Sequence, residues 1–299
     1  MKIVLFGTPD FAVATLEKLV NSVYEISTVV TIPDKQMGRG QKISFSPVKD
    51  FSLKHNINLL QPENLKDEKF ILQLKELNAD LFVVVAYKIL PVEVFSIPKM
   101  GTFNLHASLL PKYRGAAPIQ WALINGEQKT GVTTFFIKEK VDTGDIILQK
   151  EVSISDKDDY GSLYEKLKID GADLVLESIE LIQEGNIDLL RQNDTQASPA
   201  PKITDDLCVI DWNKSAKAIN NLIRGLSPVP GAYFIYNDKR YKIFKSEVVS
   251  YLNLKIGEVY QTKNELIVGC GYNSIKILEV QPEGRKKMKT EEFLRGYKI

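Results

Sequence analysis

Apolar positions in the first two thirds of the chain alternate between short continuous runs and stretches of helical spacing. Residues 2–6 (KIVLF) form an apolar run that stops at Gly7, and Pro9 then stands where a helix can begin. From Phe11, the apolar residues Val13, Leu16, Leu19 and Val20 follow the spacing of one helix face. The same reading predicts strands over 25–32, 81–86, 101–105, 131–136 and 146–154, and helices over 48–55, 67–77, 117–124 and 160–183. The run LFVVVA at 81–86 shows no polar alternation, which marks a strand covered on both faces. This succession predicts an α/β fold with a Rossmann-like, doubly wound, mostly parallel sheet.

Between residues 186 and 204 the periodicity dissolves into polar and breaker residues, RQNDTQASPAP among them. We therefore expect a first domain over 1–188, a linker over 189–206 and a second domain over 207–299. The second part has one helical stretch at 215–224 and a Pro230-Gly231 turn. Short alternating runs follow at 233–236, 240–249, 258–261, 266–269 and 275–280. Such closely spaced short strands predict a small OB-like β-barrel, partly open and five-stranded.

Composition narrows the class. The chain has 299 residues, 44% apolar and 26% charged, which suits a globular protein with a real core. The opening apolar run is too short for a secretion signal, and no stretch is long enough to span a bilayer. Cys208 and Cys270 form no CxxC pair, so neither a disulfide framework nor a zinc site is expected, and a reducing cytoplasm is. The small net charge hides an asymmetry. Residues 207–299 carry 16 Lys and Arg against 9 Asp and Glu, a net of +7, whereas residues 1–206 carry a net of −6. A basic second part is suited to a polyanionic partner.

Candidate chemistry begins with an exclusion. Gly7-Thr8-Pro9-Asp10 follows the first strand, but the GxGxxG fingerprint is absent and Asp34 is the only acidic candidate after the second. The informative segment is Asn104-Leu105-His106-Ala107-Ser108-Leu109-Leu110-Pro111-Lys112-Tyr113-Arg114-Gly115. It places His106 where a strand meets a loop, with Asn104 two residues earlier on the same face. Val141-Asp142-Thr143-Gly144-Asp145 lies between two predicted strands and can return Asp142 to that edge. An amide donor, an imidazole and a carboxylate suit acyl transfer to an amine: Asn donates to an oxyanion, and His with its carboxylate carries the proton. With no Ser or Cys in an elbow motif, direct transfer is favoured over a covalent intermediate. The same three residues also fit a strand-end histidine satisfied by a nearby aspartate.

Asn104 and His106 followed by SLLPKYRG, with DTGD downstream, resemble the signature of the formyltransferases that use 10-formyltetrahydrofolate. Within that superfamily the chain is most similar to the methionyl-tRNA formyltransferases over essentially its whole length. The segments FGTPDFA, GRGQK, HASLLPKYRGAAPIQW, APKIT and NLIRGLSPVPGAY carry the likeness. The resemblance implies a Rossmann-like catalytic domain followed by a barrel that helps hold tRNA, with 10-formyltetrahydrofolate as donor and no metal. It makes Asn104, His106 and Asp142 the catalytic trio. Ser108, Leu109, Leu110 and Pro111, with Ala86, Tyr87 and Ile89, become the folate lining. It turns the basic loop at 33–49, which carries Lys35, Arg39, Lys42 and Lys49, into a contact for the tRNA acceptor arm, made above all by Lys35, Arg39 and Lys42, and puts Phe11 beside the methionine side chain. A cytoplasmic monomer acting on aminoacylated initiator tRNA is expected. Three departures stand out: Ala86-Tyr87-Lys88-Ile89-Leu90-Pro91 lacks the family's usual glycine, Lys140-Val141 replaces Gly-Leu before DTGD, and Ser227-Pro228-Val229-Pro230 replaces Asn-Pro-Trp-Pro. The rival within the superfamily is an enzyme that formylates an amino-sugar nucleotide or another small amine. Outside it, the rival is a non-catalytic RNA-binding module.

Overall fold

The computed structural model describes residues 1–37, 42–250 and 252–297. The chain divides into two compact units. The first comprises Met1–Gly115, Gly131–Val152 and Glu165–Pro199; the second comprises Ala116–Thr130, Ser153–Tyr164 and Ala200–Ile299.

In chain order the elements begin with β1 (Lys2–Gly7), α1 (Asp10–Val20), β2 (Glu25–Val30), β3 (Lys35–Met37), β4 (Lys42–Ser44) and α2 (Pro47–Lys54). Next come β5 (Leu59–Leu60), α3 (Glu68–Glu76), β6 (Leu81–Val85), α4 (Val92–Phe95), β7 (Thr102–His106), α5 (Pro118–Ile124), β8 (Lys129–Phe136), β9 (Ile146–Ser153) and α6 (Tyr160–Glu184). The first unit is built on a seven-stranded sheet in the order β5-β2-β1-β6-β7-β8-β9. β1 pairs in parallel with β2 and β6, and β6 with β7, whereas β7 and β8 run antiparallel. The doubly wound expectation holds, with an antiparallel extension.

Local chemistry explains the element ends. Ser46 caps α2 by accepting from the Lys49 N–H, with Pro47 in its first turn, and Asp67 caps α3 by accepting from the Lys69 N–H. Gly7 ends β1 because a Cβ there would stand 2.5 Å from the Ala12 Cβ, so only glycine lets α1 start so close to the strand. Every residue of β6 is buried, as its uninterrupted apolar run predicts. One layer of core (Phe6, Phe70, Leu74, Phe82, Val84 and Val94) lies between the sheet and α3 with α4. On the opposite face α6 approaches β7 closely: a Cβ at Gly171 would meet the Leu105 side chain at 2.8 Å.

The second unit contains α7 (Ala216–Leu226), β10 (Ala232–Tyr236), β11 (Lys239–Val249), β12 (Val259–Gln261), β13 (Leu266–Gly269), β14 (Ser274–Pro282), β15 (Met288–Lys289) and α8 (Thr290–Phe293). Its strands form one antiparallel sheet in the order β10-β11-β14-β13-β12, with β15 on β14. The path has two ends, so the barrel is partly open, and the 11-residue β11 bends through two irregularities next to Lys245. α7 buries Ala216, Ile219, Ile223 and Leu226, the residues of one helical face, into the same core as Phe234, Tyr241, Ile275 and Phe293. Among the described residues no helix is long and apolar enough to cross a membrane.

Candidate active site

The winding of the first unit sets the location. From β1 the chain moves outward through β2 to β5, then returns to the other side of β1 as β6 and continues outward through β7. The order reverses between β1 and β6, and open α/β sheets bind ligands outside the carboxyl ends of the strands at such a point. There Gly7 pairs with Val85, and Val85 with Leu105, so β1, β6 and β7 end at nearly one level with His106 as the last residue of β7.

Alternation along β7 sends Asn104 and His106 to one face and Leu105 to the α6 face. His106 is 6% exposed and its Nε2 lies 2.8 Å from the Tyr113 carbonyl oxygen. A carbonyl only accepts, so Nε2 carries the ring proton of the neutral imidazole and Nδ1 keeps its lone pair. Nδ1 faces Asp142 Oδ2 at 4.0 Å, beyond hydrogen-bond reach. The Asp142 carboxylate instead accepts from the Gly115 N–H at 2.9 Å. Among the described residues the Asn104 amide has no hydrogen-bond partner, and it faces a small cavity that Asp142 also lines. The structure thus brings the three residues to one place without bonding them to one another.

Two loops hold this arrangement. In the first, Ser108 Oγ donates to the Lys112 carbonyl at 2.7 Å, Thr133 Oγ1 donates to the Ser108 carbonyl at 2.6 Å, and Gln149 Nε2 donates to the Leu110 carbonyl at 2.8 Å. The Leu110-Pro111 bond in this loop is cis. Tyr113 follows with a φ of 61°, which turns its carbonyl towards His106. In the second, Asp142 has a φ of 55°, a left-handed conformation that Asp tolerates better than most residues. Thr143 Oγ1 closes the turn on the Lys140 carbonyl at 2.8 Å. Gly144 follows where a Cβ would stand 1.5 Å from the Phe136 carbonyl oxygen. Within the DTGD turn, the third position therefore accepts only glycine against the end of β8.

A cavity between the second loop and the segment after β6 has a volume of about 90 Å³ and is lined by Tyr87, Ile89, Asn104, Phe135, Val141 and Asp142, among others. Lys88, Ile89, Leu90 and Glu139 also line an open groove of about 690 Å³ that runs past Lys66 and Phe95. Burial pushes the Tyr87 phenol up to about 12, and its hydroxyl reaches towards the Thr31 carbonyl at 3.5 Å. Ile89 is 72% exposed on the groove wall.

The expected lining residues separate into two groups. Tyr87 and Ile89 meet Asn104 and Asp142 at the cavity. Ala86, with a φ of 49°, makes the turn after β6 that swings them there. Ser108, Leu109, Leu110 and Pro111 stand apart from that cavity: Ser108 is buried, Leu109 packs over Gly131, and Leu110 sits with Phe135 and Ile146. Phe11 is buried in the first turn of α1. Lys35 and Lys42 lie on the two strands of the β3–β4 hairpin, and Arg39 falls outside the described residues. Lys49, also counted in that basic loop, is held at its base by Asp34 at 2.5 Å and Gln61 at 3.0 Å, over the Phe45 ring. Sequence reasoning missed Tyr113, Gly115 and Gln192, which act through backbone groups or from the polar linker and leave no pattern. Among the described residues no cluster of three or more His, Cys, Asp or Glu could hold a metal.

The formyl transferase family model matches residues 1–179, and the model of the formyl transferase C-terminal domain matches residues 202–298. The chain belongs to the formyl transferase family. Among this formyltransferase's relatives, the methionyl-tRNA formyltransferase of Caldanaerobacter subterraneus is 48% identical over 100% of this chain and 98% of its own length. That of Thermodesulfovibrio yellowstonii is 50% identical over 99% and 96%. Among solved structures, HypX from Aquifex aeolicus in complex with tetrahydrofolic acid superposes with a TM-score of 0.68 at 18% identity. The match covers 98% of this formyltransferase but only 47% of HypX. At that identity the likeness concerns the fold.

Proposed function

We propose that this formyltransferase moves the formyl group of 10-formyltetrahydrofolate to the α-amine of methionyl-tRNA in the cytoplasm, with Asn104, His106 and Asp142 as its catalytic residues. The relatives matching over nearly their full lengths support the acceptor. The observation that carries the chemistry is the free Asn104 amide beside Asp142 in a cavity that shares a wall with a groove of ligand size. The exposed apolar wall at Ile89 and the half-buried Tyr87 fit a flat aromatic donor entering along the groove.

The donor supplies an electrophilic formyl carbon; as the bond from the acceptor amine to that carbon forms, its bond to the donor nitrogen breaks, and tetrahydrofolate leaves with the proton that the amine gives up through His106. Asn104 is placed to donate to the formyl oxygen as that oxygen gains charge. With Nε2–H of His106 engaged by the Tyr113 carbonyl, Nδ1 is the ring atom able to accept the proton that the attacking amine must lose. The carboxylate of Asp142, 4.0 Å from Nδ1, then faces an imidazolium and stabilises it. This divides the labour: Asn104 acts as donor and His106 as proton acceptor. The hairpin bearing Lys35 and Lys42, together with Arg39, is suited to phosphates of the acceptor arm.

The test is formyl transfer from 10-formyltetrahydrofolate to methionyl-tRNA, with an amino-sugar nucleotide run beside it. Turnover of methionyl-tRNA alone is expected. Turnover of the sugar alone would leave the fold and overturn the acceptor.

A further inference from the structure

Gln192 belongs to the polar stretch after α6, yet it is only 8% exposed and every polar atom of its side chain is used. Its Nε2 donates to the Asp142 carbonyl at 2.9 Å and to the Gly144 carbonyl at 2.8 Å. Its Oε1 accepts from Arg114 Nε at 3.1 Å and from Nη2 at 2.7 Å. Chemistry fixes the amide's orientation, because the two carbonyls only accept and the guanidinium only donates. Arg114 is itself held by Asp194, with Nη2 to Oδ1 at 2.7 Å. The same stretch continues to Ser198, whose Oγ accepts from the Tyr113 N–H at 2.9 Å and whose carbonyl accepts from the Arg114 N–H at 2.9 Å.

The consequence is geometric. Tyr113 supplies the carbonyl that anchors His106 Nε2, and Asp142 supplies the carboxylate that faces His106 Nδ1. These two groups sit on different loops, and residues 192–198 bond to both. The Asp142 backbone is in a left-handed conformation with no helix or strand to fix it, so its carbonyl needs an outside donor to hold its height. Gln192 is that donor.

We propose that Gln192 is a positioning residue of the reaction, which sets the distance between the Asp142 carboxylate and His106 by clamping the Asp142 and Gly144 carbonyls to Arg114. The inference rests on His106 and Asp142 being the proton-handling pair. A ligand-binding residue would act on KM, whereas misplacement of a catalytic group by about 1 Å lowers turnover by as much as a hundredfold.

The experiment compares wild type, Gln192→Met and Gln192→Glu in formyl transfer to methionyl-tRNA, with kcat and both KM values measured. Gln192→Glu keeps the contact to Arg114 but turns an oxygen against the two carbonyls, so it remains informative where Gln192→Met misfolds. Either variant is expected to lower kcat by about 10- to 100-fold with both KM values within about threefold. In single turnover, adding the Gln192 change to Asp142→Asn should lower the rate by less than about twofold further, because the residue it positions has already lost its charge. Two results would overturn the proposal: kcat within twofold of wild type in a folded Gln192 variant, or an undiminished loss in the Asp142→Asn background. A wild-type protein inactive on methionyl-tRNA would instead refute the function from which the inference starts.

Discussion

Replacing Gly144 with alanine tests the turn that carries Asp142. The added methyl would stand 1.5 Å from the Phe136 carbonyl oxygen, 2.7 Å from its carbon and 3.1 Å from the Phe135 ring. Cβ atoms do not approach other heavy atoms closer than 3.0 Å, so either the loop or the end of β8 moves by at least 1.5 Å. β8 cannot yield easily. Phe135 pairs with Asn104 in the sheet, and the Phe136 N–H donates to the Asp145 carbonyl at 3.0 Å. The loop therefore moves, and the bonds from Gln192 to the Asp142 and Gly144 carbonyls stretch beyond reach. The bond from the Gly115 N–H to the Asp142 carboxylate is lost with them. We expect kcat to fall by about a hundredfold, as a displacement of this size does to a catalytic group. Overpacking of this kind destabilises by about 1–3 kcal/mol, or roughly 2–4 °C of melting temperature per kcal/mol in a chain of this length. Steady-state formylation and thermal melting by circular dichroism measure the two effects. A Gly144→Ala enzyme with kcat within threefold of wild type would refute the reasoning, because it would mean that Asp142 does not need its present height.

Other expectations can be checked independently. Asn104→Ala should lower kcat by about a hundredfold with KM nearly unchanged, since the amide is assigned to charge that develops only during reaction; a tenfold rise in KM at constant kcat would make it a binding group instead. Tyr87 has a phenol raised from 10.0 to about 12, so its contribution to stability is whole below pH 10 and is lost as pH rises through about 12. Urea denaturation should show up to about 2 kcal/mol of that loss missing in Tyr87→Phe, and equal slopes in the two proteins would contradict it. Arg39→Ala and Lys42→Ala should each raise KM for methionyl-tRNA and lower the slope of log KM against log salt by about 1. Lys49→Met should leave that slope unchanged and lower stability by about 1 kcal/mol, because its ammonium is already used by Asp34 and Gln61.

What was legible in the sequence follows from how each feature is encoded. β6 is written as an apolar run and α7 as an apolar face, because burial of a whole surface needs several residues at a fixed period. That Asn104, His106 and Asp142 come together was legible from their residue types and spacing, since few side chains suit the chemistry proposed for them. The hairpin of β3 and β4 was not, because three-residue strands leave no period to read. The anchor of His106 was hidden for another reason: it is a backbone carbonyl, the same in any residue, and only the left-handed Tyr113 aims it. Gln192 was read as part of a structureless linker because a single buried amide among Arg, Asn and Asp has no signature. Lys49 shows the reverse error, in which a charge counted for a partner is used inside the fold.

The stretch that follows α6 also bears on where the catalytic unit ends. The two family models stop at residue 179 and resume at 202, and residues 192–198 lie in neither. A fragment cut after α6 would keep every strand of the seven-stranded sheet and all three side chains proposed for catalysis. It would still lack the amide and the serine that brace both loops around His106. During synthesis the same holds in time: the sheet can be complete on the ribosome before the site is. The bracing of the site therefore arrives with a piece of chain that has almost no secondary structure of its own.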